Sequence, residues 1–529
     1  MKKGIWVYLL FFFLLSSKLL LTLSYDVQQV SAEIRTWTVD DDGPADYHTI
    51  QGAVDAAEEG DTIFVYNGTY YETVFVEKTL SLIGEHKSGT IIDGDRTGTV
   101  VHASNTSVVI AAFTIRNSND YPYTGISLKD SRNSNVTENI IFNCTEGIRI
   151  YNSTDTIIEH NTITANYGGI HLAGNSRINT ITHNVINSNS WGIYLDNSSD
   201  NLLTENILTN NSWTGIDLFQ SKCENNILSG NIIASNGNGI RSYNRASGNS
   251  MQDNVIMYNN DTEGGKGNGI SLSGHSRSHI ITGNTLTENR YGLHLFISED
   301  NTLYHNNFIN NTKHAYQAAG SHSNSWDNGF EGNYWSNYTG VDSDHDGIGD
   351  SLYEIAENNT DFYPLMGTFS HFNADSEYPI QTICNSTITD YVFNGSAISF
   401  DVTGKNGTVG FCRIRIPTAL LNDTYRVFVN GTEVPYTLLL PSNSTHIYLH
   451  FNYLHSTQEV TIIPEFPSFL ILALSITATL LAASLYETTK MSNNTKQTLT
   501  HRSISSYARA EKSPFQSYMQ AMHGPHKRH

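Results

Sequence analysis

The chain has 529 residues, a formal net charge of −21 and a hydrophobic fraction of 39%. That length accommodates one long domain and a smaller second one. So acidic a balance repels phosphate backbones, which excludes nucleic acid as a partner and leaves glycans, metal cations and protein surfaces.

At the amino end, Lys2 and Lys3 precede an apolar run from Ile5 to Leu15, and Val30-Ser31-Ala32 suits a signal peptidase. A signal peptide over 1–32 is expected, with an uncleaved anchor as the alternative. Thr49 to Ala57 has helical spacing, and Gly60 to Val65 begins the first strand. A short polar-ended helix there would hide the open edge of a stack of strands.

From Thr124 to Asn311 one unit recurs, with a Gly-Ile or Gly-Leu step at Gly125, Gly147, Gly169, Gly192, Gly215, Gly239, Gly269 and Gly292. The interval is about 22 to 23 residues with one longer coil, the signature of a solenoid. After each glycine the pattern Ile-x-Leu alternates as a half-buried strand does. The next bend carries an asparagine at Asn139, Asn161, Asn184, Asn206, Asn231, Asn254, Asn284 and Asn306. A second column follows at Asn166, Asn189, Asn211, Asn236, Asn259, Asn289 and Asn311, with Cys144 in the first coil. Strands too short to be helices, stacked about 4.8 Å apart and joined by Asn and Gly bends, predict an all-β right-handed parallel β-helix over 36–320. Equivalent asparagines then bond to one another as ladders, which makes most of them scaffold.

Two features interrupt or close this run. The insertion Asn260 to Asn268 either rims a binding face or is inert. Residues 321–366 close the stack, with Trp326 and Trp335 as the largest plugs. Within them, Asp342, Asp344, Asp346 and Asp350 alternate around Gly347, with Ile348 placed to offer a carbonyl. Alternating hard oxygens are what Ca²⁺ takes, and a solvated acidic turn is the alternative.

Residues 375–462 hold short strand-like segments between Asn-Gly turns and predict a β-sandwich, read as a stalk. Cys384 and Cys412 share it, as a disulfide or as free core thiols, whereas Cys144 and Cys223 should not pair. The apolar run over 467–486 is long enough to span a bilayer. The basic tail 487–529 then faces the cytoplasm and everything before the span lies outside, where dense Asn-x-Ser/Thr sequons fit a glycosylated surface.

Several of these stretches carry a family resemblance. Residues 49–57, Gly68-Thr69-Tyr70, Leu80 to Gly84 and Thr90 to Gly94 resemble the amino-terminal cap of the pectin-lyase-like superfamily. The repeats are similar to the NosD-like, carbohydrate-binding-and-sugar-hydrolase β-helix family, and Asp361-Phe362-Tyr363-Pro364-Leu365 resembles that family's ending. Pro464 to Ser468 resembles the anchoring signals of archaeal surface proteins, although the tail after the span is long for that pattern.

Candidate sites follow from the columns. The middle residue of Ile-x-Leu should face solvent, giving Ser127, Arg149, His171, Tyr194, Asp217, Arg241, Ser271 and His294. Of these, Arg149, His171, Tyr194, Asp217 and Arg241 suit sugar hydroxyls and carboxylates. A second column, Glu138, His160, His183 and Glu205 with His305 further along, brings His160 and His183 within reach of one metal ion. The NosD-like resemblance implies copper there. No catalytic carboxylate pair is recognisable, and Asp217 stands alone among basic and aromatic residues. The expectation is a membrane-anchored surface protein that binds polysaccharide without catalysis. The alternatives are a lyase or hydrolase, and a copper-handling protein.

Overall fold

The computed structural model describes residues 34–465 apart from 260, 262–266, 319, 321, 374–377 and 422–423, together with 480–482 and 484–485. The expected signal peptide, most of the expected membrane span, the basic tail and most of the insertion therefore lie outside the described residues. No helix among the described residues is long and apolar enough to cross a membrane. Among the described residues, 34–421 and 426–463 form one compact unit, which carries the fold, and 424–425, 464–465, 480–482 and 484–485 belong to a second.

Three parallel sheets of 12, 11 and 12 strands wrap one apolar core. The first runs from Thr36–Val39 to Thr302–Tyr304, the second from Val74–Val76 to Lys313–Gln317, and the third from Gly68–Tyr71 to Tyr334–Trp335. Ile-x-Leu falls on the second sheet in strict register, with Ile126 beside Ile148, Ile148 beside Ile170 and Ile170 beside Ile193, all fully buried. The preceding glycine is required by close approach. A Cβ at Gly215 would stand 2.6 Å from Ile233 Cγ2 and 2.8 Å from the Gly239 carbonyl of the next coil.

Both expected asparagine ladders are present. The Asn161 N–H and Nδ2 both donate to Asn184 Oδ1 at 3.0 Å, and Nδ2 also donates to the Val136 carbonyl at 2.8 Å. Cys144 heads the second ladder, its N–H donating to Asn166 Oδ1 at 2.9 Å. A third ladder escaped the sequence reading: Asn179, Asn201, Asn226, Asn249, His279, Asn301 and Asn324. In that column His279 substitutes for an amide, with Nδ1 accepting the Asn249 N–H at 3.1 Å. The residue before each asparagine of the first ladder is left-handed, with φ of 55° at Glu138, 56° at His160, 54° at His183 and 55° at Glu205. The satisfied amides hold the chain in that strained bend and turn the preceding side chain outward.

Both ends are closed. The helix Ile50–Ala56 buries Ile50, Ala53 and Val54. Thr49 Oγ1 caps Gly52, and the Glu72 carboxylate accepts the Ile50 and Gln51 N–H groups. At its other end Lys78 Nζ donates to the carbonyls of Val54, Asp55 and Ala57, so the groups a helix leaves open are bonded at both termini. At the far end of the stack Trp335 lies between Phe308 and Tyr353, with 4.4 Å between ring centroids on each side. Its indole N–H donates to Asp361, whose carboxyl burial raises to about 6.

Beyond the stack, two five-stranded antiparallel sheets run from Thr368–Asn373 to Gln458–Pro464. Alternating burial along strands such as Ile398–Thr403 places one face inward. This part is tied to the solenoid: Asn307 exchanges two hydrogen bonds with the Phe369 backbone at 2.8 and 2.9 Å. Glu331 takes Arg413 Nε at 3.0 Å and Nη2 at 2.8 Å. On its other oxygen Glu331 meets His305 Nε2 at 2.8 Å.

Candidate ligand groove and metal sites

On the outer side of the second sheet, Ser127, Arg149, His171, Tyr194, Asp217, Arg241, Ser271 and His294 stand opposite one another on consecutive strands. All project from the core, but the expectation that all meet solvent is corrected. His171, Asp217 and Ser271 keep 8%, 3% and 6% of their surface. Neighbouring side chains cover them. His171 Nδ1 lies 2.9 Å from Glu146 Oε1, and Trp191 and Tyr194 lie against its ring at centroid distances of 5.7 and 4.9 Å. Arg241 grips Asp217 with Nε on one oxygen, at 3.0 Å, and Nη2 on the other. Burial pushes the Asp217 carboxyl up, and the Arg241 charge opposes that. Arg149 stays partly open, with its Nε 3.9 Å from Glu146.

Aromatic residues beside this column make it a groove. Trp191, Tyr194, Trp213, Phe219 and Tyr243 line a depression of about 590 Å³ with Asp217 and Arg241. Phe219 and Tyr243 stack with 5.8 Å between centroids, and the Arg241 guanidinium lies 5.5 Å from the Trp213 ring and 5.6 Å from Tyr243. Gly168 makes room for the wall, since a Cβ there would fall 2.1 Å from the Trp191 ring. Flat apolar faces around a fixed guanidinium–carboxylate pair can stack on sugar rings while bonding their hydroxyls. The sequence reading found Arg149, His171, Tyr194, Asp217 and Arg241 but missed Glu146, Trp191, Trp213, Phe219 and Tyr243. The last four flank the column, and in the stacked frame Trp191, Phe219 and Tyr243 are displaced from it by two or three residues along each strand.

The histidine column is also assembled. His160 and His183 stack with 5.0 Å between centroids, and His183 Nε2 lies 2.5 Å from Glu205 Oε2. Glu138 is engaged by Lys87. Two imidazoles and a carboxylate on successive rungs are donors that Cu(II) accepts. His305 departs from the expectation: it is 4% exposed, bonded to Glu331 and stacked on Phe369 at 4.0 Å, because the second part of the fold covers that bend.

In the acidic loop, carboxylate oxygens of Asp342, Asp344 and Asp346 lie within 4.8 Å of one another. Asp342 accepts the N–H groups of Asp346 and Gly347, Asp346 accepts that of Ile348, and Gly347 turns with φ 87°. Burial raises Asp346, and Asp344 and Asp342 add to it, as a site short of positive charge would show. Arg413 Nη1 supplies part of that charge, 2.7 Å from the Asp346 carbonyl and 3.3 Å from Oδ2. Asp350 is spent on the Ser343 N–H at 2.8 Å, and Ile348 is buried in a bridge to Leu365. Among the described residues Asp40, Asp41 and Asp42 form a similar cluster, with Asp40 and Asp41 already accepting backbone N–H groups.

All four cysteines are buried thiols. Cys384 and Cys412 are directly opposite on adjacent antiparallel strands. Burial pushes Cys384 up, but hydrogen bonds from Cys412, Tyr453 and Ser386 overcome it and lower the thiol.

A family model described as "Periplasmic copper-binding protein (NosD)" matches residues 72–191 and 175–340. The probable ABC transporter binding protein NosD of Pseudomonas aeruginosa is 42% identical over 79 residues, 15% of this chain and 18% of that protein. Its namesake in Stutzerimonas stutzeri is 35% identical over 96 residues, 18% of this chain and 22% of that protein. The chain thus spans about a fifth of the length of these curated relatives. Among solved structures, the A-module of mannuronan C-5 epimerase AlgE4 from Azotobacter vinelandii aligns with a TM-score of 0.42 at 16% identity, over 51% of this chain and 94% of that one. DFA-IIIase from Arthrobacter chlorophenolicus A6, in complex with DFA-III, aligns with a TM-score of 0.40 at 16% identity, over 51% and 78%.

Proposed function

Since the chain belongs to the NosD family, we propose that it is an extracytoplasmic β-helix protein that binds an extended sugar chain in the groove of its second sheet, without cutting it. The observation that carries this reading is the wall of Trp191, Tyr194, Trp213, Phe219 and Tyr243 around Asp217 and Arg241. Rings on both sides offer stacking faces for pyranose C–H groups, and the partly exposed Arg241 guanidinium, fixed by Asp217, offers directed donors. Binding rather than catalysis is favoured because both oxygens of Asp217 are engaged by Arg241. A carboxylate so held is a poor base or nucleophile. In this reading the apolar run over 467–486 keeps the protein at the cell membrane and the second part of the fold is its stalk.

The test is retention of the full chain on immobilised neutral and acidic polysaccharides, with new chain ends measured in parallel. Retention that falls about tenfold in Trp213→Ala, with no new ends, supports the reading. New ends would replace it with a lyase or hydrolase.

A second reading is favoured by the stacked pair His160 and His183 beside Glu205, together with the family's description as copper-binding. These residues would hold Cu(II), and a His160→Ala/His183→Ala variant should lose Cu(II) binding while keeping polysaccharide retention. The acidic loop Asp342, Asp344 and Asp346 is assigned in the same way to a structural Ca²⁺.

A further inference from the structure

The second part of the fold contains a dithiol that neither the groove nor the histidine column uses, and it lies outside the residues matched by the family model. Cys384 and Cys412 face each other across the strands Pro379–Cys384 and Val409–Pro417 and keep 1% and 0% of their surface. We propose that Cys384 and Cys412 form a binding site for one thiophilic monovalent metal ion, of which Cu(I) is the biological example.

Three observations carry it. First, directly opposed residues of an antiparallel pair have Cα atoms about 4.5 to 5.5 Å apart, so the two sulfurs share one space between the strands. Soft thiolates select Cu(I) over the harder divalent ions that carboxylates and imidazoles take. Second, the sulfurs are sealed. Exchange with an external disulfide needs a bulky partner to reach Sγ, which this burial denies, whereas a bare ion is small enough to enter.

Third, a hydrogen-bonded chain leads from the sulfur outward. Tyr453 Oη lies 3.1 Å from Cys384 Sγ and 2.7 Å from Ser386 Oγ. Ser386 Oγ lies 2.8 Å from His455 Nε2, and His455 Nδ1 lies 2.6 Å from Thr408 Oγ1, a residue at the surface. One donor direction satisfies every link and points outward: the Cys384 S–H to Tyr453, Tyr453 O–H to Ser386, Ser386 O–H to Nε2, Nδ1–H to Thr408, and Thr408 O–H to the Lys405 carbonyl at 2.7 Å. Metal uptake requires the thiols to lose their protons. In the proposed step each sulfur gives a lone pair to the ion, the S–H bonds break, and the protons leave along this chain to solvent. No electron is transferred.

The full chain, purified reduced and without oxygen, is titrated with Cu(I) held by a chromophoric chelator and, separately, with Ag(I). The expected result is one equivalent bound with an ultraviolet thiolate-to-metal band. Affinity should fall at least about a hundredfold in Cys384→Ser and in Cys412→Ser and stay unchanged in His160→Ala/His183→Ala. Alkylation of the wild-type chain in enough denaturant to admit the reagent to all four buried thiols, mapped by mass spectrometry, should show the metal slowing reaction at Cys384 and Cys412 while Cys144 and Cys223 react as in the metal-free chain. This reading needs no variant to fold. No uptake by a chain with all thiols free, uptake unchanged in the serine variants, uptake lost with the histidines, or protection at other cysteines would each overturn the proposal. So would isolation of the native chain with Cys384 and Cys412 joined as a disulfide. Polysaccharide retention, read on the same samples, fails or succeeds separately.

Discussion

Mild acid should loosen the solenoid at one identifiable rung. His279 is fully buried in the third ladder, where the adjacent coils carry Asn249 and Asn301. Its Nδ1 accepts the Asn249 N–H at 3.1 Å, so the neutral ring carries its proton on Nε2 and donates it to Ser242 Oγ at 2.9 Å. A second proton would set N–H against N–H and bring charge into a dry core. Burial accordingly lowers His279 from 6.5 to about 4. Between those values the unfolded chain holds a proton that the folded chain refuses, so stability is complete above pH 6.5 and declines as the pH falls towards 4. At 1.36 kcal/mol per pH unit the loss approaches about 3 kcal/mol. His279→Asn restores an amide to the ladder and removes the titration. Melting of the full chain and the variant is followed by calorimetry from pH 7.5 to 4.5. The two should nearly coincide at the neutral end, and the wild type should fall progressively below the variant towards acid. His314, which burial also lowers to about 4, is present in both and cancels. Curves that stay parallel across the window would refute the reasoning.

Three further outcomes are expected. Asn231→Ala removes an amide that donates to the Leu203 carbonyl and Asn254 Oδ1, both at 2.9 Å, and accepts the Asn206 N–H at 3.0 Å. It should cost about 3 kcal/mol, with amide hydrogen exchange accelerated most in the coils on either side. Glu331→Gln leaves the buried Arg413 facing a neutral amide and should cost about 3 to 5 kcal/mol in chemical denaturation at pH 7. Glu331 is held at about 2 by His305 and Arg413 against burial, so its contribution is present above pH 4.5 and fades only as the pH drops towards 2. Saturating the metal-free full chain with Ca²⁺ at a hundredfold over Kd should stabilise it by about 2.7 kcal/mol, and Asp344→Asn should abolish the effect; an unchanged melting temperature would remove Ca²⁺ from the acidic loop.

The scaffold was legible because a solenoid writes its packing as a period. The Gly-Ile steps, the Ile-x-Leu alternation and the two asparagine columns each map onto one sheet or one bend. The third ladder was harder to see, because Ser, Thr and charged residues surround Asn179, Asn201 and Asn226 and a histidine interrupts it. Within the groove the middle residues of Ile-x-Leu could be read from the pattern. The aromatic wall could not: Phe219 and Tyr243 share one place after their glycines, Gly215 and Gly239, but Trp191 and Trp213 come before theirs, Gly192 and Gly215, and the four meet only once rungs are stacked. The burial of His305 was invisible for a further reason. It depends on Phe369, Glu331 and Arg413, which come from the stack's closing segment and from a part of the chain with no repeat.

The two closures of the stack decide whether this molecule is finite. A coil without its cap offers a full set of backbone donors or acceptors in the spacing that another copy's terminal coil would match, and the asparagine columns could continue across the seam. Such a head-to-tail contact does not close on itself, so it propagates. The helix Ile50–Ala56 at one end and Trp326 with Trp335 at the other therefore act as chain terminators for polymerisation. They hold a sequence built for indefinite repetition at the length of a single molecule.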